Sequence, residues 1–252
     1  MELQLHLYVK LRIHTFHQDP NTIMEASNSN RLPLSSSFTS DFGMPEEWHH
    51  GKLPHRNRKN LIQFITFRLQ DSIPNEALKS IEDEIKNFTG TKKEIEKQKN
   101  YEKWLDKGLG SCALNNPVMA KVVFDALQYH DGERYDLFAW SIMPNHVHVL
   151  VRTENDLSKI VQSWKSFTGR WAMSNNKKYN LRIDDNAKKF WMPEYWDTFM
   201  RNRAHFDNTV KYILDNPKKA RLPKDSTAYK YTGSKLGGIE LPGRDVDPDS
   251  SE

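Results

Sequence analysis

Two apolar runs separated by a Pro-Asn pair constrain this chain more than any other feature. Tyr135–Met143 reads YDLFAWSIM, and His146–Val151 reads HVHVLV. Each run has the length and the aromatic and β-branched content of a strand, and Pro144-Asn145 between them is typical of a turn. The pattern therefore predicts an antiparallel hairpin within a sheet.

The segments around this hairpin predict further strands and several helices. Alternating apolar residues indicate a strand, and apolar residues at helical spacing indicate a helix. The predicted elements are a strand at 61–70, a charged helical stretch at 75–106, a helix at 116–129 opened by Pro117, a helix capped by Asn155 or Asp156, an aromatic extended stretch at 190–200, and a helix at 203–215 ended by Asn216-Pro217. This order predicts an α+β fold, an antiparallel sheet with helices packed on one side of it.

The two ends of the chain differ in composition from the middle. Residues 1–13 alternate like a strand, but 18–46 are rich in Ser, Asn, Asp and Pro, and 237–252 form an acidic stretch rich in Gly and Pro. Such compositions are typical of chain that does not form a packed core. We therefore expect a flexible N-terminal extension at 1–50, one domain at 51–236 and a disordered acidic tail at 237–252.

The middle of the chain is basic although the whole carries a net charge of only +4. Residues 51–236 hold 33 basic and 22 acidic side chains, a net charge of +11. A basic middle between acidic ends favours a polyanionic partner, and it is equally compatible with a solvated, lysine-rich surface.

The cysteine count and the hydropathy of the chain argue against disulfide-bonded, cysteine-zinc and membrane-spanning proteins. Cys112 is the single cysteine, so the chain can form no internal disulfide and no cysteine-based zinc site. No apolar run of about 18 residues predicts a membrane span. These features lead us to expect a cytoplasmic protein without a membrane association.

His146 and His148 are the first candidate functional residues. They are two apart on a predicted strand, so their imidazoles project from the same face, as a pair of metal ligands would. If Val147, Val149 and Val151 point into the core, the histidine face is left for a ligand or a helix. A bare His-x-His is also compatible with two ordinary histidines on a polar sheet face.

Tyr212 and Asn216 form a second candidate pair on the predicted helix RAHFDNTVKYILDNP. They are four apart, so they share one helix face about a turn apart. The apolar stripe of this helix consists of Phe206, Val210 and Ile213. Taken alone, Tyr212 is equally compatible with a packed aromatic whose hydroxyl finds a hydrogen-bond partner.

Several motifs taken together resemble one protein family. The segments MPNHVHVLV, SWKSFT and YWDTFMRNRAHFDNTVKYILDNPKKARL, in this order, are similar to those of the REP-associated tyrosine transposases, members of the HUH single-tyrosine group. The openings KLPHR…FITFRL and LGSCAL…NNPVMAKVV extend the resemblance to roughly 51–222. Relatives often read Asn-Pro-Val-Lys-Ala-Gly where this chain has Asn216 to Arg221, NPKKAR, a more basic ending.

The resemblance implies a fold, a reaction and a set of site residues. It implies a ferredoxin-like, RRM-like HUH nuclease core, with His146, His148 and Asn216 holding Mg²⁺ or Mn²⁺ and Tyr212 as the nucleophile. The implied activity is endonuclease and strand transfer on single-stranded DNA beside a hairpin, through a 5′-phosphotyrosine. A nucleoid-associated location follows from such a substrate. The relatives include monomers and helix-swapped dimers, so monomer and homodimer both remain open.

Basic side chains in this segment are candidates for phosphate contact, although each is also compatible with a solvated surface charge. The candidates are Lys159, Lys165 and Arg170 on the helix that contains Trp164, Arg201 and Arg203 near the tyrosine helix, and Lys52, Arg56 and Arg58 before the first core strand.

Two other functions compete with a strand transferase. A non-catalytic binder of hairpin DNA would be a domesticated relative, although His146, His148 and Tyr212 are all present. A metallohydrolase would use the two histidines with water, although no third strong ligand stands near them in sequence. Retention of a phosphotyrosine after cleavage would separate the strand transferase from the hydrolase.

Overall fold

The computed structural model describes residues 46–50, 53–57, 61–153 and 156–236, the first two ranges through their backbone. The strand expected at 1–13 and the acidic tail at 237–252 lie outside the described residues. A strand at Glu46–His50 pairs with one at Leu53–Asn57, so described structure begins just before the expected domain boundary at 51.

Seven strands and six α-helices are present in the part of the chain that the structure describes. The strands are β1 (Glu46–His50), β2 (Leu53–Asn57), β3 (Leu61–Arg68), β4 (Tyr135–Ile142), β5 (His146–Thr153), β6 (Trp196–Phe199) and β7 (Thr232–Ser234). The helices are α1 (Asn75–Ile85), α2 (Gly90–Leu105), α3 (Pro117–Gln128), α4 (Leu157–Tyr179), α5 (Arg203–Lys219) and α6 (Thr227–Lys230), with a short 3₁₀ turn at Ala113–Asn115 before α3.

The main sheet is antiparallel throughout and has the order β6-β3-β5-β4-β7. The expected α+β fold and the expected β4–β5 hairpin are therefore confirmed. β5 is the central strand, and the pairing register sets Thr66 of β3 and Ser141 of β4 opposite His148. Directly paired residues project from the same face of an antiparallel sheet, so these side chains surround the histidine.

Helices cover both faces of the sheet, so the expectation of helices on one side was wrong. Val147, Val149 and Val151 pack against α3 and α4 on one face. On the other face α5 contacts the sheet through Phe206, whose ring meets Phe138 edge-on at 5.5 Å. Leu150 on that face is fully buried, because an amphipathic helix covers it.

The end of α5 differs from the sequence-based expectation. Asn216-Pro217 was expected to end the helix, yet helical backbone continues to Lys219. Proline lacks the amide hydrogen that an interior position would donate, but a last turn tolerates that loss. The amide of Ala220 donates to Asn216 O at 3.0 Å and the amide of Leu222 to Pro217 O at 3.0 Å. Asn216 therefore has helical backbone, one turn after Tyr212.

The charged helical stretch at 75–106 forms two helices, α1 and α2, with the break before Gly90. They pack together through Ile73, Ala77 and Leu105. After α2 the chain passes close to the end of β3, where Ser111 donates its amide hydrogen to Asp71 Oδ2 at 2.7 Å. Gly110 allows this approach, because it has a φ of +84° and a Cβ there would lie 2.4 Å from Asp71 O.

Among the described helices, none is both long enough and apolar enough to cross a membrane.

Tyr135 and Trp164 form a polar contact inside the core under α4. Trp164 Nε1 donates to the Tyr135 hydroxyl at 3.0 Å, and that hydroxyl donates to Leu127 O at 2.7 Å. We predict that Tyr135→Phe lowers the free energy of unfolding by about 1–3 kcal/mol, because it leaves the buried indole N–H without a partner. Urea denaturation followed by fluorescence measures this loss.

The matched control is Tyr179→Phe, because Tyr179 stacks on Trp171 at 5.3 Å through its ring and is only half-buried. An equal loss of stability in both variants would contradict the assigned role of the Tyr135 hydroxyl.

Candidate metal and nucleophile site

The two histidines of β5 lie side by side on the sheet face that α5 covers. Their side chains are each 1% exposed, and their Nε2 atoms are 3.0 Å apart. The strand alternation that buries Val147 and Val149 on one face projects both imidazoles from the other, as the sequence predicted. The pair therefore has the spacing predicted for two ligands that approach a common point.

Asn145 orients the first imidazole. Its Nδ2 donates to Leu109 O at 3.1 Å, and this contact directs its Oδ1 towards His146 Nδ1 at 2.8 Å. Because an amide oxygen can only accept, His146 carries its proton on Nδ1. The Nε2 lone pair of His146 is therefore directed at His148.

Thr66 orients the second imidazole. Its Oγ1 lies 2.8 Å from His148 Nδ1. With His146 Nε2 as an acceptor, His148 Nε2 donates to it, and His148 Nδ1 accepts from the Thr66 hydroxyl. A hydroxyl can also accept, so Thr66 equally suits the other tautomer of His148, in which Nε2 presents its lone pair to a cation.

Burial keeps both imidazoles neutral. It lowers the pKa of His146 to about 3 and the pKa of His148 well below its ordinary value, with the neighbouring His146 and Lys219 contributing further to the second shift. Removal from water disfavours the charged form of a histidine. Neutral imidazoles retain the lone pairs that metal coordination requires.

Tyr212 of α5 faces the same histidine pair. Its ring meets the His148 ring edge-on at 5.5 Å and the Phe64 ring edge-on at 5.7 Å. On its other side, Lys219 Nζ lies 4.1 Å from the Tyr212 ring centroid, within cation–π range. One chain alone therefore brings the tyrosine and both histidines together.

Acidic side chains of α2 also lie near Tyr212. Glu102 and Asp106 lie near enough to influence the charge of Tyr212, and Gln98 Nε2 donates to Glu102 Oε1 at 3.0 Å. Burial raises the pKa of Glu102, and nearby Asp106 adds to the rise. Burial, followed by the charges of Glu102 and Asp106, raises the pKa of Tyr212 above its ordinary value.

Asn216 is the third polar residue on this side of α5. It is 3% exposed, and its Nδ2 has no hydrogen-bond partner among the described residues. A buried amide N–H group without a partner is costly, so Nδ2 is available to donate to an acceptor such as a phosphate oxygen, and a cation would bind the Oδ1 atom. Two neutral imidazoles and one amide form a donor set that fits a divalent cation completed by water or phosphate oxygens. Within the described ranges, no cluster of three or more His, Cys, Asp or Glu side chains could hold a metal ion.

The basic residues predicted to contact phosphate separate into two groups. Lys165 and Arg170 line a groove of about 700 Å³ on the outer side of α4, together with Lys188 and Lys189. Lys165 Nζ donates to Pro193 O at 2.6 Å, and burial lowers its pKa to about 8. Arg201 and Arg203 lie exposed at the start of α5, where Arg203 Nε donates to Asp207 Oδ1 at 2.8 Å.

The remaining candidates for phosphate contact are not among the residues that line the groove. Lys159 is exposed on α4 and does not line the groove. Arg56 lies on β2 opposite Glu47, described through its backbone. Lys52 and Arg58 lie outside the described residues.

Residues from other elements also contact the site, and the sequence analysis had not named them as site residues. The alternation of β3 already places Thr66 and Phe64 on one face, and Asn145 directly precedes His146, so both contacts had a sequence signal. Glu102 had none, because a glutamate on a charged helix is indistinguishable from its neighbours until the helix is placed.

Comparison with known proteins identifies the segment that carries the site. Residues 118–216 match the family described as "Transposase IS200 like". A REP-associated tyrosine transposase of Escherichia coli (strain K12) is 24% identical over 99 residues, which are 39% of this chain and 53% of the relative. The match therefore spans about half the length of that relative.

Two solved structures are similar to this chain at lower sequence identity. A REP-associated tyrosine transposase bound to a REP hairpin is 16% identical, covers 81% of this chain and 98% of its own, and has a TM-score of 0.41. A transposase-like protein from Deinococcus radiodurans R1 is 12% identical over 68% of this chain and 97% of its own, with a TM-score of 0.28. The matched range contains His146, His148, Tyr212 and Asn216, so all four residues lie in the segment that is similar to the IS200-like transposases.

Proposed function

We propose that this protein is a metal-dependent endonuclease and strand transferase that acts on single-stranded DNA beside a hairpin. The observation that carries the proposal is the contact between Tyr212 and His148, with ring centroids 5.5 Å apart inside one chain. It brings the ring of Tyr212 against His148, whose neutral imidazole forms a pair with that of His146, and such a pair is suited to a cation. No second subunit is required to bring these groups together.

The metal ligands in this proposal are His146, His148 and Asn216. When bound, Mg²⁺ or Mn²⁺ would polarise the scissile phosphate and offset the negative charge that develops during displacement. Asn145 and Thr66 orient the imidazoles, and such supporting contacts affect metal affinity. The proximity of the two Nε2 atoms, 3.0 Å apart, and the burial of Asn216 one turn after Tyr212 support this assignment.

Tyr212 is the proposed nucleophile. Its phenolic oxygen attacks phosphorus, a bond to the tyrosine forms, and the 3′ oxygen leaves as a hydroxyl. The product is a 5′-phosphotyrosine that retains the phosphodiester energy, so a different 3′-hydroxyl can be joined without ATP. A hydrolase that used only activated water would leave no such adduct.

The proposed substrate class follows from how DNA can reach Tyr212 and from the positive charge of the groove on α4. A base-paired, stacked strand cannot readily reach histidines that are buried beneath a helix, so the cleaved part is single-stranded. The family resemblance points to a hairpin beside the cleavage point. The groove containing Lys165, Arg170, Lys188 and Lys189 is the proposed contact for its phosphates.

The first test concerns the nucleophile. Wild-type protein, incubated with a labelled single-stranded hairpin oligonucleotide and Mn²⁺, should give a labelled covalent band on a denaturing protein gel. Tyr212→Phe should bind the oligonucleotide but lose the band, because it lacks the attacking oxygen. Tyr229→Phe, which changes a tyrosine on α6, serves as the matched control and should keep it.

A band that survives Tyr212→Phe would refute the tyrosine mechanism. Binding without a covalent band under any metal would instead favour the non-catalytic hairpin-binding protein.

The second test concerns the metal ligands and needs no DNA. We predict that Thr66→Val weakens Mn²⁺ binding by about 10–100-fold, because His148 loses the hydroxyl that orients it. Isothermal titration calorimetry measures this change. Thr153→Val, a buried threonine at the far end of β5, should bind Mn²⁺ like the wild type, and equal weakening in both variants would contradict the assignment.

The third test concerns the groove on α4. Replacing Lys188 and Lys189 with Gln should weaken hairpin binding and reduce the slope of log K against log salt by about one to two, because each phosphate contact releases counterions. Replacing Lys177 and Lys178, an exposed pair on α4 that does not line the groove, is the control. An unchanged slope for the groove variant would place the DNA elsewhere.

A further inference from the structure

Arg68 is a buried cation beside the histidine pair. It is the last residue of β3, and the pairing register sets it directly opposite His146, so its side chain leaves the sheet on the face that carries both imidazoles. The residue is only 3% exposed. A guanidinium stays charged inside a protein, and an arginine is rarely buried this fully unless it is paired. We therefore expect an anion beside Arg68.

The described residues do not supply that anion at ion-pair distance. Both hydrogen bonds of the guanidinium run from Nη1 to neutral oxygens, Leu69 O at 3.3 Å and Ser72 Oγ at 3.0 Å. Within the described ranges, Nε and Nη2 make no hydrogen bond and no carboxylate forms an ion pair with Arg68. The carboxylates of Asp71 and Glu194 influence its charge only from a greater distance. Nε and Nη2 are therefore available to donate to an anionic ligand.

An aromatic ring lies beside the guanidinium and offsets part of its buried charge. Arg68 Cζ is 5.6 Å from the centroid of the Tyr101 ring, which packs edge-on against Trp196 with ring centroids 4.3 Å apart. Trp196 is paired with Thr66 across β6 and β3, and Thr66 contacts His148. A cation–π contact is weaker than charge-assisted hydrogen bonds to phosphate oxygens. A phosphate would therefore be a stronger partner for Arg68 than the ring.

Lys219 is a second cation near the site, and it differs from Arg68 in burial. Its Nζ lies 4.1 Å from the Tyr212 ring centroid, and the residue is exposed. Water and salt screen an exposed charge, whereas a buried guanidinium acts on a nearby phosphate with little screening. The planar guanidinium also presents donors that match two oxygens of one phosphate. These differences favour Arg68 over Lys219 as the group that fixes a phosphate in one position.

We propose that Arg68 is a DNA-binding residue of this site, whose guanidinium holds a backbone phosphate of the single strand that reaches His146 and Tyr212. The inference rests on the proposed function, because it requires a DNA strand to enter at the histidine face. The bound phosphate supplies the anion that the described residues lack, and Nε and Nη2 donate to its oxygens. Arg68 thereby positions the strand and takes no part in proton transfer.

The test compares the binding of two labelled oligonucleotides, a hairpin with single-stranded extensions on both sides and the same hairpin without them. A chelator is present, so that binding is measured without metal-dependent cleavage. Arg68→Gln keeps an amide that can donate to Ser72 Oγ but removes the charge. We expect it to weaken binding of the extended hairpin by about 10–100-fold and to reduce the slope of log K against log salt by about one, with binding of the bare hairpin unchanged.

Two further variants separate a phosphate contact from a structural role. Ser72→Ala removes a hydrogen-bond partner of Arg68 in the turn after β3 and keeps the guanidinium, so it should bind both oligonucleotides like the wild type. Arg68→Lys keeps the charge without the planar donors, and it should retain the salt slope with a smaller loss of affinity. Thermal melting verifies the folding of each variant, and Arg68→Met provides the measurement if Arg68→Gln does not fold.

Three results would overturn the inference. They are unchanged binding of the extended hairpin by Arg68→Gln, equal weakening of both oligonucleotides, and the same weakening by Ser72→Ala, which would make Arg68 a support of the turn. A wild type that binds neither oligonucleotide would refute the proposed function and the inference together. The expected loss in Arg68→Gln would support the phosphate contact even if the wild type forms no covalent adduct with Mn²⁺, a result that would refute only the proposed strand transfer.

Discussion

The register of the central strand β5 determines most of the site. Pairing with β3 and β4 sets Thr66 and Ser141 opposite His148 and directs Val147 and Val149 into the core on the other face. A slip of one residue would exchange the two faces and bury the imidazoles among the core aliphatic side chains. The burial of the valines therefore holds the histidines in place.

Burial of two imidazoles requires that their nitrogen atoms find partners, and the fold provides them from separate elements. The contact from Leu109 O through Asn145 to His146 connects the loop after α2 to the turn before β5. Thr66 provides the partner of His148 from β3. The pair remains neutral because it is removed from water, and it is oriented because each Nδ1 is engaged.

The surroundings of Tyr212 combine a cation beside its ring with the nearby carboxylate of Glu102, which helps to raise the pKa of Tyr212. The carboxylate disfavours a free phenolate, since two adjacent negative charges repel each other.

The periodicity of apolar residues along short segments was enough to predict several elements of this protein. The β4–β5 hairpin, the shared face of His146 and His148, and the helix that carries Tyr212 and Asn216 all follow from strand and helix periodicity. The continuation of α5 through Pro217 did not, because hydrogen bonds beyond the proline stabilise its last turn. The placement of α5 and α2 over the histidine face was decided only by tertiary structure, because apolar stripes show that a helix packs but not which surface it covers. Glu102 became distinguishable from the other acidic residues of α2 only through that packing, since proximity between side chains 110 residues apart in sequence leaves no local pattern.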